Sequence, residues 1–498
     1  MDRAILPCVL LLAALPAQAI DVRHDLDASV VPENHEICIQ DNVTLILRKP
    51  HSELLSAYVH AGLKLVDLSS PGVVHEVVPR IGREHEHFSK EVPLQEIRFR
   101  PDGASGWPRQ VELSFRLRGK IMHPLTSQQE NYARSFQETP GIISTDGVYL
   151  SSGSFFYPRF FLNPASFSLT VSLPAGWDAV SQGSRTGHVR SEEATTVTWS
   201  SPQPMDDIYL IAAPFTEYYQ ESGAADLYAF LRTPDAALAR KYMDATEVYL
   251  DMYSRLLGPY AYKKFALVEN FWETGYGMPS FTLLGPRIIR LPFILHTSYP
   301  HEILHNWWGN GVFVDYDRGN WCEGLTAYLA DHLLKEGAGK GAAYRRSALE
   351  RYRNFVRREE DFALEAFTQR RSSASEAVGY GKSLMVFHML RRLLGDETFV
   401  SGLRLLYRDR LHREAGFDDL QKAFESAAER SLEPFFDQWV RRPGAPDLEL
   451  EEVTVHPRMH GGKTLRLTIS QVQRGAPFRL QLPVAVRAPQ QPHGVVLS

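Results

Sequence analysis

The hydrophobic pattern of the chain changes twice and divides it into three regions. From residue 20 to 216 apolar and polar positions alternate, for example along 167–173, and this is the period of a half-buried strand. Gly and Pro separate the alternating segments at turn-like intervals. The pattern predicts one all-β domain over residues 20–216.

Beyond residue 217 the apolar positions recur every three to four residues, which is the period of a helix. The first such stripe consists of Leu238, Tyr242, Ala245, Tyr249, Met252 and Leu256. Gly258 and Pro259 end it. Strands are predicted at 265–268 and 281–284, and helical patterning dominates from about 299 to 440. Residues 217–443 are therefore predicted to form a mostly helical domain that contains a few strands.

Alternation returns after Gly444, at 465–469 and again at 478–486. Two or three strands are marginally stable alone. The segment 444–498 therefore either packs on the rest or belongs to a unit that is incomplete here. Together the three regions predict a multidomain α+β fold: an N-terminal all-β domain, a mostly helical domain and a short C-terminal β segment.

Composition narrows the class of protein. The 498 residues include 54 Lys+Arg and 59 Asp+Glu, for a net charge of −5, with 44% hydrophobic and 23% charged residues. These proportions are those of a folded protein rather than a disordered one. No long basic block is present, so we expect no general nucleic-acid-binding surface.

The first nineteen residues predict export. Arg3 precedes an apolar run over 4–15, and Ala17-Gln18-Ala19 has the form of a cleavage site. We interpret 1–19 as a signal peptide cut after Ala19, the alternative being a buried N-terminal helix. No later apolar stretch approaches 18 residues, so we expect no stable membrane insertion after cleavage and an exported, periplasmic or secreted, protein.

Two cysteines, Cys38 and Cys322, follow the predicted cleavage site. They could form one disulfide, but they are far apart in sequence and nothing in the pattern forces them together. Cys322 adjoins a candidate metal ligand, and a small buried hydrophobic role is the alternative to metal contact.

The segment His301-Glu302-Ile303-Leu304-His305 has the form H-E-x-x-H. On a helix, residues four apart lie about 6 Å apart along the axis and about 40° around it, so both imidazoles face one side and can bind one Zn²⁺. Glu302 follows the first ligand and is placed to act as general base towards the attacking water. The alternative is a pair of surface histidines on an ordinary helix.

A catalytic zinc site needs a third protein ligand. Glu323 lies 18 residues after His305, and residues 325, 328, 329 and 332 continue at helical spacing, so Glu323 is predicted to project from the start of a second helix. Two imidazoles and one carboxylate suit one Zn²⁺ per chain.

The segment 301–328 (HEILHNWWGN … WCEGLTAY) resembles the zinc site of the aminopeptidase N family of gluzincins. The resemblance extends to 204–212, which is similar to the family's last strand before the catalytic domain, and to 435–444, which is similar to the end of its helical part. It implies a thermolysin-like catalytic domain behind an N-terminal β domain, with peptides as substrates.

The same resemblance implies a catalytic tyrosine. The segment 377–383 (AVGYGKS) is similar to the family segment that carries it, with Tyr380 in place and Lys382 two residues on. A phenol stays protonated at neutral pH and can donate a hydrogen bond to a developing oxyanion. The alternative for Tyr380 is a packing aromatic before a helix.

The chain departs from the family pattern between the second ligand histidine and the glutamate. Most relatives have one residue more than the 17 found between His305 and Glu323. We expect the shortening to fall in the loop 315–320 and the ligand geometry to survive it. In this loop Asp315 and Asp317 are candidates to orient an imidazole, with loop solvation as the alternative.

A second departure concerns substrate binding. Aminopeptidases of the family carry a Gly-x-Met-Glu-Asn strand whose Glu pairs with the free amine of the substrate, whereas here Pro279 occupies that position. Gly277 and Met278 are predicted to offer backbone hydrogen bonds to an extended peptide. Glu269 and Glu273 are candidates to bind the amine instead, and each is equally consistent with an exposed strand-end carboxylate.

These patterns predict zinc-dependent hydrolysis of peptide bonds in exported peptides by a metal-activated water, in an aminopeptidase-like manner. Two alternatives remain open: a peptide-binding protein on a catalytically idle scaffold, and a zinc hydrolase of a non-peptide bond. Side-chain preference, exo- versus endo-cleavage, the oligomeric state and the natural C-terminus are not fixed by the sequence.

Overall fold

A computed structural model describes residues 20–48, 54–80, 92–103, 106–127, 137–160, 164–458, 462–482, 484–486 and 495–497. The predicted signal peptide lies outside these ranges. None of the helices that the model describes is both long and apolar enough to cross a membrane.

Strands dominate the first half of the chain, as predicted. They are β1 (Ile20–Val31), β2 (Glu36–Leu47), β3 (Leu55–His60), β4 (Leu63–Ser69), β5 (Val73–Arg80), β6 (Leu94–Pro101), β7 (Gln110–Lys120), β8 (Thr126–Ser127), β9 (Gln137–Glu138), β10 (Gly141–Ser144), β11 (Gly147–Leu150), β12 (Ala165–Pro174), β13 (Asp178–Val180), β14 (Ser184–Arg190), β15 (Ala194–Met205) and β16 (Leu210–Ala213).

The predicted alternation is a burial pattern in these strands. Every second residue of β12 is buried, starting at Ala165, and β1 alternates in the same way along most of its length. β1 pairs in parallel with β12 and antiparallel with β2 in a seven-stranded sheet of order β14-β15-β12-β1-β2-β7-β4. Sheets of order β3-β6-β5 and β10-β11-β16-β13 accompany it. The alternation fixes which side chains are buried but not how the strands are shared among sheets.

A five-stranded sheet comes next and carries the first helix. Its strands are β17 (Thr216–Gln220), β18 (Asp226–Leu231), β19 (Lys264–Glu269), β20 (Gly275–Met278) and β21 (Phe281–Leu284), in the order β17-β18-β19-β21-β20. The helix α1 (Ala236–Leu257) begins after Asp235, whose carboxylate accepts a hydrogen bond from the backbone N–H of Leu238, and it ends at Gly258 as predicted. Among the strands that the structure describes, β20 is at the edge of this sheet and pairs with β21.

Helices dominate residues 298–439, with the short strands β22 (Phe313–Val314) and β23 (Glu414–Ala415) between them. The helices are α2 (Ser298–Leu304), α3 (Cys322–Thr326), α4 (Leu333–Gly337), α5 (Gly341–Phe355), α6 (Ser373–Glu376), α7 (Ser383–Leu394), α8 (Asp396–Arg410), α9 (Phe417–Ala428) and α10 (Glu433–Trp439). Two π-helical turns, Ala327–His332 and Ala377–Lys382, join α3 to α4 and α6 to α7.

The C-terminal segment forms the hairpin β24 (Leu448–Pro457) and β25 (Lys463–Gln471), followed by β26 (Val484–Val486) and β27 (Val495–Leu497). The predicted strand over 478–486 is wrong for 478–482. The ring of Phe478 stacks on Trp439 at 5.2 Å, and the side-chain amide of Gln471 bonds both backbone groups of Phe478. These contacts replace the hydrogen bonds of a strand ladder.

The chain divides into two compact units. One contains the described residues up to Phe313 together with Leu329–Gly341 and Arg404–Glu414. The other contains Val314–Tyr328, Ala342–Leu403 and the described residues from Ala415 onward. The predicted domain boundaries at residues 216 and 443 remain predictions, whereas the predicted α+β class with its β–helical–β order is confirmed.

Candidate metal centre

The two histidines of the H-E-x-x-H segment lie on one side of α2, as their spacing predicts. Ile303 and Leu304 are buried and hold the helix in place, and His305 follows its last residue with its backbone N–H bonded to the carbonyl of His301 at 3.2 Å. The two imidazole centroids are 4.9 Å apart. Pro300 lies in the first turn, where its missing N–H does not interrupt the helix.

Each imidazole uses its Nδ1 in a hydrogen bond, which leaves Nε2 for a metal. Nδ1 of His305 lies 3.1 Å from the carbonyl oxygen of Trp308, and Nδ1 of His301 lies 3.3 Å from Oδ2 of Asp331. A carbonyl can only accept, so Nδ1 of His305 carries the proton and Nε2 offers its lone pair. No pattern in the sequence had marked Asp331 as a partner of the imidazole.

Glu323 lies at the second residue of α3, as predicted. The side chain of Asn320 accepts a hydrogen bond from the backbone N–H of Cys322 at 3.1 Å, and the indole N–H of Trp321 is bonded to the carbonyl of Ala415 at 2.6 Å. These two contacts fix the start of α3 and hence the direction of the glutamate.

The π turn after α3 sets the register between Glu323 and Asp331. Eight residues along a regular α-helix place two side chains about 80° apart. A π turn absorbs one residue, so the pair behaves like residues seven apart, which differ by about 20°. This is how Glu323 and Asp331, on one continuous helical segment, both reach the metal centre.

The ligand atoms of His301, His305 and Glu323 all lie within 4.8 Å of one another. Two imidazole nitrogens and one carboxylate form the donor set that Zn²⁺ prefers in catalytic sites. The residues therefore fit the ion, and the 17-residue spacing still allows the three ligands to converge.

The shortened loop contributes no contact to the imidazoles from Asp315 or Asp317. Asp315 binds Arg318 at 2.7 Å, and Arg318 also binds Asp419 at 3.1 Å, while Asp317 is exposed. The structure gives the orienting role proposed for these two residues to Asp331.

Glu302, the predicted general base, packs against the edge strand β20. A Cβ atom placed on Gly277 would lie 2.8 Å from Oε2 of Glu302 and 3.1 Å from Cβ of His305. Only glycine allows this approach of the strand to the zinc helix.

The two predicted substrate-binding residues, Gly277 and Met278, make different contacts within the protein. The carbonyl of Gly277 accepts a hydrogen bond from Nδ2 of Asn310 at 3.0 Å, and the side chain of Met278 is buried in the core. The prediction that these two residues bind an extended peptide therefore rests on their backbone groups alone. Pro279 is buried and brings no carboxylate.

Both alternative amine-binding carboxylates have other partners. Glu269 is buried, accepts a hydrogen bond from Arg290 at 2.6 Å and binds the backbone N–H of Arg232 at 2.8 Å. Glu273 accepts a hydrogen bond from the backbone N–H of Arg287 at 3.1 Å. Both carboxylates thus have structural contacts, and binding of an amine by either one stays a prediction.

Tyr380 lies in the second π turn, which packs directly on the helix that carries Glu323. A Cβ on Gly324 would clash with Oγ of Ser383 and lie 3.1 Å from the carbonyl of Gly379. The Tyr380 ring contacts Phe367 edge-on at 6.1 Å, so one face of the tyrosine is packed while its side chain stays partly exposed.

Lys382, the last residue of the second π turn, is buried and pairs with Asp361. Its Nζ lies 3.9 Å from Asp361, and burial lowers the pKa of this lysine although Asp361 opposes the shift. The lysine next to the tyrosine is thus occupied by a buried ion pair.

Cys322 is buried with its Sγ 3.9 Å from Oγ1 of Thr326, and it forms no disulfide with Cys38. This environment favours the small hydrophobic role over metal contact.

With this geometry in place, comparison with known proteins supports the resemblance: residues 297–439 match the peptidase family M1 domain. The matched residues include His301, His305, Glu323 and Tyr380. The resemblance to the aminopeptidase N-like zinc metallopeptidases that the sequence predicted is thus confirmed over these residues, and the donor set fits the single catalytic zinc that it implies.

Relatives of the M1 domain carry aminopeptidase names. Aminopeptidase N of Lactococcus lactis is 28% identical over 167 residues, which are 31% of this chain and 19% of that protein. The mitochondrial aminopeptidase 2 of Saccharomyces cerevisiae is 21% identical over 159 residues, which are 30% of this chain and 17% of that protein. The chain thus matches about one fifth of the length of these curated relatives.

Solved structures resemble the chain over most of its length. An M1 zinc metallopeptidase variant from Deinococcus radiodurans superposes with a TM-score of 0.66 at 18% identity, covering 86% of this chain and 96% of that one. The same enzyme bound to a Tyr-Ser-Ala substrate gives a TM-score of 0.64 with equal coverage. At this identity the likeness concerns the fold alone, and it confirms the predicted order of a β-rich N-terminal region followed by a helical region.

Proposed function

We propose that this chain hydrolyses peptide bonds with a zinc ion held by His301, His305 and Glu323, in an aminopeptidase-like manner and after export. The observation that carries the proposal is the convergence of these three ligand atoms within 4.8 Å beside the carboxylate of Glu302. When bound, Zn²⁺ supplies Lewis-acid polarisation of the scissile carbonyl and makes water a nucleophile near neutral pH.

The residues of the chain supply the remaining chemistry. Glu302 accepts the proton of the attacking water and returns it to the leaving amine. Tyr380 donates its phenolic hydrogen to the oxygen that becomes negative during attack. Asp331 and the carbonyl of Trp308 hold the two imidazoles in the tautomer that binds metal.

The decisive experiment compares wild type with Glu302→Gln. The substitution keeps the size of the side chain and leaves all three ligands intact, so we expect one zinc per chain in both proteins and a loss of turnover only in the variant. Removal of the metal by a chelator should abolish the wild-type activity, and added Zn²⁺ should restore it. Near-normal activity of Glu302→Gln would overturn the assignment.

Comparing the hydrolysis rates of peptides with free and with acetylated amino termini tests whether the chain acts as an aminopeptidase. Aminopeptidase names of the relatives support exopeptidase action, whereas Pro279 removes one carboxylate that would bind the amine. We expect faster hydrolysis of the free peptide. Equal rates for the two peptides would identify an endopeptidase. Binding of peptides without hydrolysis would favour a peptide-binding protein on a catalytically idle scaffold. Exclusive cleavage of non-peptide bonds would favour a zinc hydrolase of another class.

Export is proposed from the pattern of residues 1–19 alone. N-terminal sequencing of the protein recovered from its native host should begin at Ile20 if cleavage follows Ala19. A protein that retains Met1 or Asp2 would contradict the proposal.

A further inference from the structure

A buried lysine near the metal centre has no role in the chemistry proposed above. Lys264 begins β19 and is 1% exposed, and among the residues that the structure describes no carboxylate pairs with it. Its Nζ donates to the carbonyl of Ser280 at 3.0 Å and to Oγ of Ser280 at 2.8 Å. It also lies 5.0 Å from the ring centroid of Trp199 and 5.2 Å from that of Phe281. Burial lowers the pKa of Lys264 well below its usual range.

A buried amine is unfavourable, so its contacts must compensate for the loss of water. All its hydrogen bonds converge on Ser280, the residue that follows Pro279 in the turn between β20 and β21. Ser280 has a φ of +66°, a left-handed conformation that non-glycine residues adopt only when their surroundings enforce it. The backbone N–H of Gly183 also donates to its Oγ, at 3.2 Å.

Ser280 connects this turn to the zinc helix. Its backbone N–H donates to Oδ1 of Asn306 at 2.7 Å, and Asn306 directly follows the ligand His305. Asn306 is fully buried, and its Nδ2 donates to the carbonyl of Ile303 within the same helical segment at 2.9 Å. A displacement of Ser280 would therefore act on the segment that carries the ligands.

A second asparagine holds β20 at Gly277, the next-to-last residue of the strand. Nδ2 of Asn310 donates to the carbonyl of Gly277 at 3.0 Å, and the backbone N–H of Asn310 donates to the carbonyl of His305 at 2.9 Å. At this same residue, Gly277, the strand packs on the carboxylate of Glu302.

We propose that Lys264, Ser280, Asn306 and Asn310 are positioning residues, which together hold the edge strand β20 against the zinc helix. We name these four residues the strand clamp. The strand clamp acts through Gly277 on Glu302, and it sets the distance between the edge strand β20 and the general base Glu302. The inference rests on the proposed function for its kinetic consequence, but its structural part is independent of any activity.

The test uses Lys264→Met, which keeps the length and apolar stem of the side chain and removes its hydrogen bonds. Asn310→Ala is the second variant, because Asn310 is only partly buried and its loss should leave the chain folded. Asp41→Asn is the matched control, since it weakens a buried hydrogen bond of 2.7 Å with His24 in the seven-stranded sheet, away from the clamp.

Hydrogen exchange and kinetics are measured for each variant in its zinc-loaded form. We expect amide exchange in peptides covering 275–284 to become at least about tenfold faster in Lys264→Met and Asn310→Ala and to remain unchanged in Asp41→Asn. We expect kcat/KM for an unblocked peptide to fall about tenfold in the clamp variants, because small misplacement of reacting groups lowers rate strongly. Zinc content should stay at one per chain.

Unchanged exchange over 275–284 together with kcat/KM within twofold of wild type would overturn the proposal and leave Lys264 a packing residue. If Lys264→Met does not fold, Asn310→Ala decides by the same two measurements. If wild type shows no peptidase activity, the exchange result still tests the clamp, and the proposed function fails separately.

Discussion

Asp331 contacts the first imidazole of the metal centre, with its Oδ2 3.3 Å from Nδ1 of His301. A carboxylate in this position fixes the tautomer and orientation of the ring and strengthens its Nε2 as a ligand. Neither the motif nor the resemblance pointed to it, although it lies eight residues after Glu323.

We expect Asp331→Ala to weaken zinc binding by about 10- to 100-fold, the usual effect of removing such a carboxylate. Competition with a chromogenic chelator measures the affinity. Asp317→Ala is the control, because Asp317 is exposed in the loop that precedes Glu323. Equal affinities in the two variants would show that Asp331 does not act on the ligand.

We expect Gly277→Ala to lower kcat by at least about tenfold with zinc still bound, because the new Cβ would lie 2.8 Å from Oε2 of Glu302 and displace the base. Steady-state kinetics with metal analysis measures both quantities. Gly275→Ala is the matched change on the same strand, where the nearest atom would lie 3.9 Å away. A loss of equal size in both variants would indicate a general effect on β20 instead.

We expect Tyr380→Phe to reduce kcat by about 100-fold or more while KM and zinc content change little, because the variant removes a hydrogen-bond donor needed only in the transition state. Tyr352→Phe removes a phenol that is bonded to Asp361 at 2.7 Å, and it serves as control for loss of a hydroxyl in this region. Retention of activity by Tyr380→Phe would return Tyr380 to a packing role.

We expect the stability of the chain to fall between pH 7 and pH 5 partly through His60. Burial, with a contribution from the nearby His123, lowers the pKa of His60 to about 4. The unfolded chain, with a histidine pKa of about 6.5, then binds more protons than the folded one in this window, so the free energy of unfolding decreases as the pH decreases. Well above pH 6.5 both states are neutral and the effect vanishes.

Allowing for solvent screening, the loss attributable to His60 should be about 1–2 kcal/mol. Urea unfolding at pH 7 and pH 5 measures it, and His60→Asn should show a smaller difference between the two pH values than wild type. His75→Asn, at an exposed histidine, should keep the wild-type difference. Identical pH dependence in His60→Asn and wild type would exclude this origin.

The sequence predicted those structural features that depend only on the local period of hydrophobic residues or on a fixed spacing between two residues. The stripe from Leu238 to Leu256 became α1, and the four-residue spacing of His301 and His305 placed both rings on one side of α2. These features need only the geometry of a regular helix, which the sequence pattern encodes directly.

Features that depend on irregular backbone or on distant partners escaped prediction. The two π turns shift the register of the segments that carry Glu323 and Tyr380, and no apolar period marks an extra residue in a helix. The contact between Gly277 and Glu302 joins residues 25 positions apart. Residues 478–482 do not form the predicted strand, because Phe478 is bonded to the side-chain amide of Gln471 and stacks on Trp439. Tertiary contacts decide such cases.

The π turn over Ala327–His332 absorbs one residue of this helical stretch. Winding the same residues as a uniform α-helix would rotate Asp331 by about 100° relative to Glu323. Composition, hydropathy and helix content would scarcely change, yet the carboxylate would turn away from the ring it orients. The one residue that the π turn absorbs, rather than any particular side chain, thus sets Asp331, which orients the ligand His301, in line with the ligand Glu323.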